Sequence, residues 1–99
     1  MYVGHTIDGS RLTVQPDGRI DTNTAADFEE QVTELLPGMK EVDVDLEDVD
    51  YVSSAGLRSL LSLFKQCSAQ NANMTVLNVM PEVMNVFEMT GFAKVLHFA

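Results

Sequence analysis

The stretch Asp48-Val49-Asp50-Tyr51-Val52-Ser53-Ser54-Ala55-Gly56-Leu57-Arg58-Ser59-Leu60-Leu61-Ser62-Leu63-Phe64-Lys65 decides the fold. Ahead of it, Val42-Asp43-Val44-Asp45-Leu46 alternates apolar and acidic residues. That is the period of a half-buried strand with Val42, Val44 and Leu46 inward and Asp43 and Asp45 in water. Within and beyond it, Leu57, Leu60, Leu61, Phe64 and Cys67 recur at helical spacing and mark one apolar helix face. This helix is predicted to start at Ser54 and run to about Ala69. The paired serines therefore sit where a strand gives way to a helix. A serine there either caps the helix, at a value of about 1 kcal/mol, or presents its hydroxyl at the positive helix end, where a phosphate is favoured. Two serines in tandem permit both.

Working upstream, Tyr2 to Ile7 is β-prone and Asp8-Gly9 signals a hairpin into Arg11-Leu12-Thr13-Val14-Gln15. Pro16-Asp17-Gly18 has turn chemistry. Asp21-Thr22-Asn23-Thr24 is a cluster of N-cap residues, and Thr24-Ala25-Ala26-Asp27 reads as a capping box. Phe28, Val32, Leu35 and Leu36 then give a helix its apolar stripe, with Glu29, Glu30 and Glu34 on the wet side. Pro37-Gly38 ends it.

Downstream, Asn71-Ala72-Asn73 suits a turn, since Asn tolerates a left-handed backbone. Met74 to Val79 is a mostly apolar, interior strand. Pro81 opens a third helix, with Val83, Met84, Val86 and Phe87 as its apolar face and Gly91 at its end. Lys94-Val95-Leu96-His97-Phe98 reads as a closing strand. The order β-β-α-β-α-β-α-β specifies an α/β fold with a mixed sheet and right-handed crossovers. Because Asp43, Asp45, Thr13 and Gln15 assign one sheet face to water, the helices are expected mainly on the other.

The 99 residues suit one domain, 1–99. No apolar run reaches membrane-spanning length and no secretory leader is expected. The single Cys67 fits a reducing, cytoplasmic setting. Net charge is −9, from 15 acidic against 6 basic residues. Such a balance argues against nucleic acid and anionic membranes as partners. It suits a basic protein partner, or serves solubility alone.

Catalytic chemistry finds no constellation. His5, His97 and Cys67 show no ligand spacing, so neither a metal nor a cofactor is expected. Val52 stands where a nucleophile elbow on Ser54 would need glycine, and no Gly-rich phosphate loop is present. The reading is a binding module and not an enzyme.

The residues quoted so far carry a resemblance. Asp48 to Arg58 resembles the signature of STAS domains, in particular stand-alone bacterial anti-sigma factor antagonists. Gly18-Arg19-Ile20-Asp21-Thr22 is similar to that family's segment before its first helix, and Pro81 to Phe92 to its last helix and the turn after it. The resemblance implies a STAS fold and binding to an anti-sigma factor that is also a serine kinase. It further implies release of a sigma factor, inactivation by phosphorylation of the serine two residues before Gly56-Leu57, which is Ser54, and a phosphatase that reverses this. Asp21 and Asp48 match acidic positions that the family keeps near that serine. Many relatives have Asp where this chain has Ser53, which makes Ser53 the lesser candidate acceptor. The expected docking surface is Asp21, Thr22, Asp48, Ser53, Ser54 and Arg58. The alternative within the family is an unswitched STAS subunit, a scaffold or a component of a lipid-transport or other regulatory assembly.

Overall fold

The computed structural model describes residues 1–99. Its hairpin joins β1 (Val3–Asp8) to β2 (Arg11–Pro16) through Gly9-Ser10. Only Gly9 of that two-residue loop has positive φ, at 62°, a backbone that glycine adopts without strain. For the other sheet strands we write β4 (Glu41–Asp45), β6 (Asn73–Leu77) and β7 (His97–Phe98). β2, β4, β6 and β7 pair in parallel, so the five-stranded sheet runs β1-β2-β4-β6-β7 and is mixed. The parallel steps are bridged by α1 (Ala25–Leu35), α2 (Ser54–Ala69) and α3 (Pro81–Thr90).

Strand parity explains the core. Leu12, Val14, Val42, Val44, Met74 and Val76 share one sheet face and are buried. Phe28 and Val32 of α1, Leu57, Leu60, Leu63 and Cys67 of α2, and Val83 and Phe87 of α3 complete the same cluster. Burial pushes the Cys67 thiol up in pKa, as befits a packed side chain. Ser59 ties the two longer helices together by donating its hydroxyl to the carbonyl of Ala25, at 3.1 Å. No helix is long and apolar enough to cross a membrane.

Several expectations need correction. Two further strands exist, β3 (Gly18–Ile20) and β5 (Val49–Val52), paired in parallel as a separate two-stranded ribbon. The strand that hands over to α2 is therefore β5, and Val42–Leu46 reaches the serines only through it. Asp45 was expected in water but is buried. It accepts hydrogen bonds from Asn78 Nδ2 (3.0 Å), the Glu47 amide (3.0 Å) and Gln15 Nε2 (3.2 Å).

The capping box at Thr24 does not form. The Thr24 hydroxyl accepts from the Asp21 amide at 2.9 Å and donates to the Arg19 carbonyl at 2.7 Å, while Asp27 pairs with the Met1 ammonium. The strand begun at Met74 stops at Leu77 because Asn78 adopts a left-handed backbone, φ 55°. At the chain's end, Gly91 (φ 83°) caps α3 as expected, but a 3₁₀ turn at Phe92–Lys94 follows and leaves only His97–Phe98 as strand.

Candidate functional site

The ribbon builds the site. In a parallel pair both strands leave at the same end, and here Ile20 lies opposite Val52. The Ser53 amide donates to the Ile20 carbonyl at 2.9 Å. The residues that follow, Asp21-Thr22 after β3 and Ser53-Ser54 after β5, are thus brought side by side although they lie about thirty positions apart in the chain.

Ser53 and Ser54 divide the two roles that tandem serines permit. Ser53 has an extended backbone and its Oγ accepts from the Gly56 amide at 3.3 Å, so it is the N-cap of α2. Ser54 is the first helical residue and is exposed. Its hydroxyl stands where unpaired amides and the helix dipole favour negative charge.

Gly56 fixes how tightly α2 seats on the ribbon. A Cβ there would fall 2.5 Å from the Ile20 carbonyl oxygen and 2.9 Å from Cγ1 of Val52. Only glycine lets the helix start this close to both strands, which is the physical reason for the Gly in Ser53-Ser54-Ala55-Gly56.

Asp21 is shaped by its turn. Its carboxylate accepts from the Asn23 amide at 2.9 Å, contacts the Thr24 hydroxyl at 3.3 Å and lies 3.6 Å from Arg19 Nε. The Asn23 amide contributes most to holding its pKa below the ordinary carboxylate value; desolvation works against this, and Thr24 and Arg19 add to it. An ionised Asp21 on the segment paired with the start of α2 adds negative potential at this end of the ribbon.

The other expected residues separate. Thr22 is exposed beside Asp21. Arg58 is exposed one turn along α2 from Ser54, at the i+4 spacing that puts two side chains on one face. Asp48 does not join this group. It precedes β5, where its carbonyl accepts from the Gly18 amide at 2.9 Å. Five residues of extended chain put it about 16 Å from Ser53. The expectation that Asp48 lies near Ser54 is corrected by the strand between them.

Sequence reasoning missed a feature of the ribbon. Arg19 and Tyr51 are cross-strand partners, and the guanidinium lies over the Tyr51 ring at 4.2 Å from its centroid. Arg19 also holds the half-buried Asp21, so a series Tyr51-Arg19-Asp21 leads up the ribbon toward the start of α2. Nothing local in the sequence links these residues; the register between β3 and β5 does.

Comparisons with known proteins agree with this architecture. The family model described as STAS domain matches residues 3–99. A STAS-domain containing protein of Pseudomonas aeruginosa (strain UCBPP-PA14) is 30% identical over 87 residues, covering 88% of this chain and 86% of that protein. The anti-sigma-B factor antagonist of Staphylococcus aureus (strain NCTC 8325 / PS 47) is 28% identical over 85 residues, covering 85% and 79%. Among solved structures, the anti-sigma factor antagonist SpoIIAA in its unphosphorylated form superposes with a TM-score of 0.75 at 13% identity, covering 99% of this chain and 87% of that one. Its phosphorylated form, from Bacillus, superposes with a TM-score of 0.74 at 14% identity, covering 99% and 91%. At those identities the superpositions establish the fold, while the family model and the sequence relatives establish descent. The chain belongs to the STAS domain family.

Proposed function

We propose that this chain is an anti-sigma factor antagonist: it binds an anti-sigma factor with serine kinase activity, frees a sigma factor, and is switched off when Ser54 is phosphorylated. The observation that carries the reading is the division of labour at the start of α2. Ser53 caps the helix and leaves Ser54 exposed where the segment after β5 runs alongside the one that carries Asp21. The name carried by the Staphylococcus aureus relative supports the same reading, and a phosphorylated state has been solved for SpoIIAA.

The mechanism follows from charge. Transfer of the γ-phosphoryl group of ATP to Ser54 Oγ, with loss of the hydroxyl proton and departure of ADP, adds about −1.5 to −2 charges. Helix amides and dipole offset part of this within the chain, by roughly 0.3–1 kcal/mol, so the fold tolerates the group. A docked partner does not. Like charges brought together in a desolvated interface cost several kcal/mol, and each ~1.4 kcal/mol is a tenfold loss of affinity. The docking surface we assign is Asp21, Thr22, Ser53, Ser54 and Arg58; Asp48, at the far end of β5, is left out of it. A phosphatase resets the switch, and the cytoplasm is the compartment this system requires.

Intact mass and phosphosite mapping after incubation with ATP and the candidate kinase test the reading, with Ser54→Ala and Ser53→Ala beside the unaltered chain. The expected result is one phosphate that disappears only in Ser54→Ala. Loss only in Ser53→Ala would move the acceptor by one residue. Absence of phosphate in every case would leave an unswitched STAS subunit, a scaffold or a component of a lipid-transport or other assembly.

A further inference from the structure

Beyond Ser54, α2 carries a stripe of side chains that phosphorylation alone does not require. Ser54, Arg58, Leu61, Lys65 and Ala69 follow at i, i+4, i+7, i+11 and i+15, which places them within about 80° of arc on a helix of 3.6 residues per turn. Arg58, Lys65 and Ala69 are exposed and Leu61 is half-buried. Together with Ser62 they line a shallow groove of ≈ 500 Å³.

Two basic side chains, Arg58 and Lys65, line this groove. Of the six basic side chains, Arg11 is engaged by Asp43 and Arg19 by Asp21; the other four make no ion pair, and of these only Arg58 and Lys65 share a helix. They flank Leu61 about 10.5 Å apart along the helix axis. On the α1 side Ser62 of the groove donates its hydroxyl to Glu29, which lies outside the groove lining, at 2.8 Å. A ligand lying here meets cations from α2, and no carboxylate lines the groove itself.

We infer that the α2 stripe docks an acidic, apolar-faced helical segment of the partner, with carboxylates on Arg58 and Lys65 and an apolar side chain on Leu61. The inference rests on the proposed function for the existence of a partner and adds its chemistry. It reverses what the net charge of −9 suggests. The reversal is physical: at physiological salt the chain's distributed charge is screened beyond about 8 Å, while pairs at contact are screened much less. The stripe also gives the switch a second effect. A phosphate on Ser54 stands at the head of the same stripe, one turn from Arg58, where it repels a docked carboxylate and competes with it for the guanidinium.

Two synthetic alanine-based helical peptides test this, one carrying Glu-x-x-Leu-x-x-x-Glu and one with Lys at both Glu positions. Each is titrated into the full ¹⁵N-labelled chain and followed by amide shifts. The Glu peptide should move amides from Arg58 to Ala69 and bind at least tenfold more tightly than the Lys peptide. Lys65→Glu and Arg58→Glu, each checked for helical content, should reverse that preference. Equal binding of the two peptides, responding amides away from α2, no response to either peptide, or an unchanged preference in both variants overturns the inference. Ser54→Asp separates it from the switch: Glu-peptide binding that survives this substitution keeps the α2 docking stripe and removes the switch.

Discussion

The five-stranded sheet with its helices and the two-stranded ribbon follow different rules. The sheet is long and regular and buries apolar residues on one face, with strands β2, β4 and β6 of five or six residues. The ribbon is β3 with three residues and β5 with four, bulged between Gly18 and Arg19. Yet every side chain assigned to the switch follows a ribbon strand or belongs to the helix that β5 feeds. The first region holds most of the buried core, to which the ribbon adds only Ile20, Val49 and Val52, while the switch we propose lies at the end of the second, on a rigid support. Substitutions that separate folding from partner binding test this contrast.

The largest effect is expected at Phe28, fully buried under α1. Phe28→Ala removes a large side chain from the shared core and should cost about 3–5 kcal/mol, read as a lower urea midpoint. A loss below ~1 kcal/mol would mean that the sheet and its helices are not the stabilising unit.

Gly56 is where the contrast should break. It lies in the functional stretch, yet the close approach of Ile20 and Val52 makes it structural. Gly56→Ala should cost about 1–3 kcal/mol through overpacking and should also weaken partner binding, because α2 must lift away from β3. Gly9→Ala is the control: its turn has open space around it and strain only from φ. It should lose stability without touching partner binding. A Gly56→Ala chain that binds normally would show that the seat of α2 on the ribbon is irrelevant to the site.

The same contrast governs what could be read from the sequence. Val42–Leu46 was legible because a buried face imposes period two, and α1 and α2 because their apolar stripes keep period 3.6. The ribbon was not. Three residues at Gly18–Ile20 are too few to show a period, and Asp48 and Asp50 give Val49–Val52 the look of a loop. Its pairing is a parallel contact between segments about thirty residues apart, which no local pattern encodes. The serines, Asp21 and Arg58 stand out in the sequence as residue types, but what surrounds them does not. Arg19 on Tyr51 needed the register, and Asp48 was placed near Ser54 by the resemblance alone, which says nothing of the strand that separates them. The capping box failed for a related reason: the Thr24 hydroxyl is taken by the Asp21 amide and the Arg19 carbonyl, a tertiary demand that overrides the local motif.

Acid should expose a further part of the sheet's stability. Burial pushes the pKa of Asp45 up, but hydrogen bonds from Asn78, the Glu47 amide and Gln15 outweigh it and hold the carboxyl below its ordinary 3.8. The folded state therefore binds this proton less readily than the unfolded chain. The stabilisation is fully present above the unfolded value and fades as pH drops from about 3.8 through the lower folded value. Asp45→Asn should flatten the loss of stability below pH ~4, measured as urea midpoints against pH. Asp21 and Asp27 shift in the same direction, so part of the slope should remain. An unchanged acid limb would show that the network under the wet face contributes nothing to it.

The smallest effect on stability is the most informative about function. Ser53 and Ser54 are adjacent, chemically identical and both near the surface, yet only Ser53 closes the helix end, through the Gly56 amide. Ser53→Ala should cost about 1 kcal/mol as a lost N-cap. Ser54→Ala should stay within roughly ±0.5 kcal/mol, as exposed substitutions do. Partner binding should rank them the other way: Ser54→Asp should lower affinity at least tenfold, a loss of about 1.4 kcal/mol, with helical content intact, whereas Ser53→Ala, which adds no charge to the docking surface, should lose far less. Thermal unfolding and binding isotherms on the three variants decide it. If Ser54→Asp unfolds the chain, the site is a structural junction; if it folds and binds normally, the charge at the head of α2 is not the switch. Folding with lost binding is what the division between cap and acceptor requires.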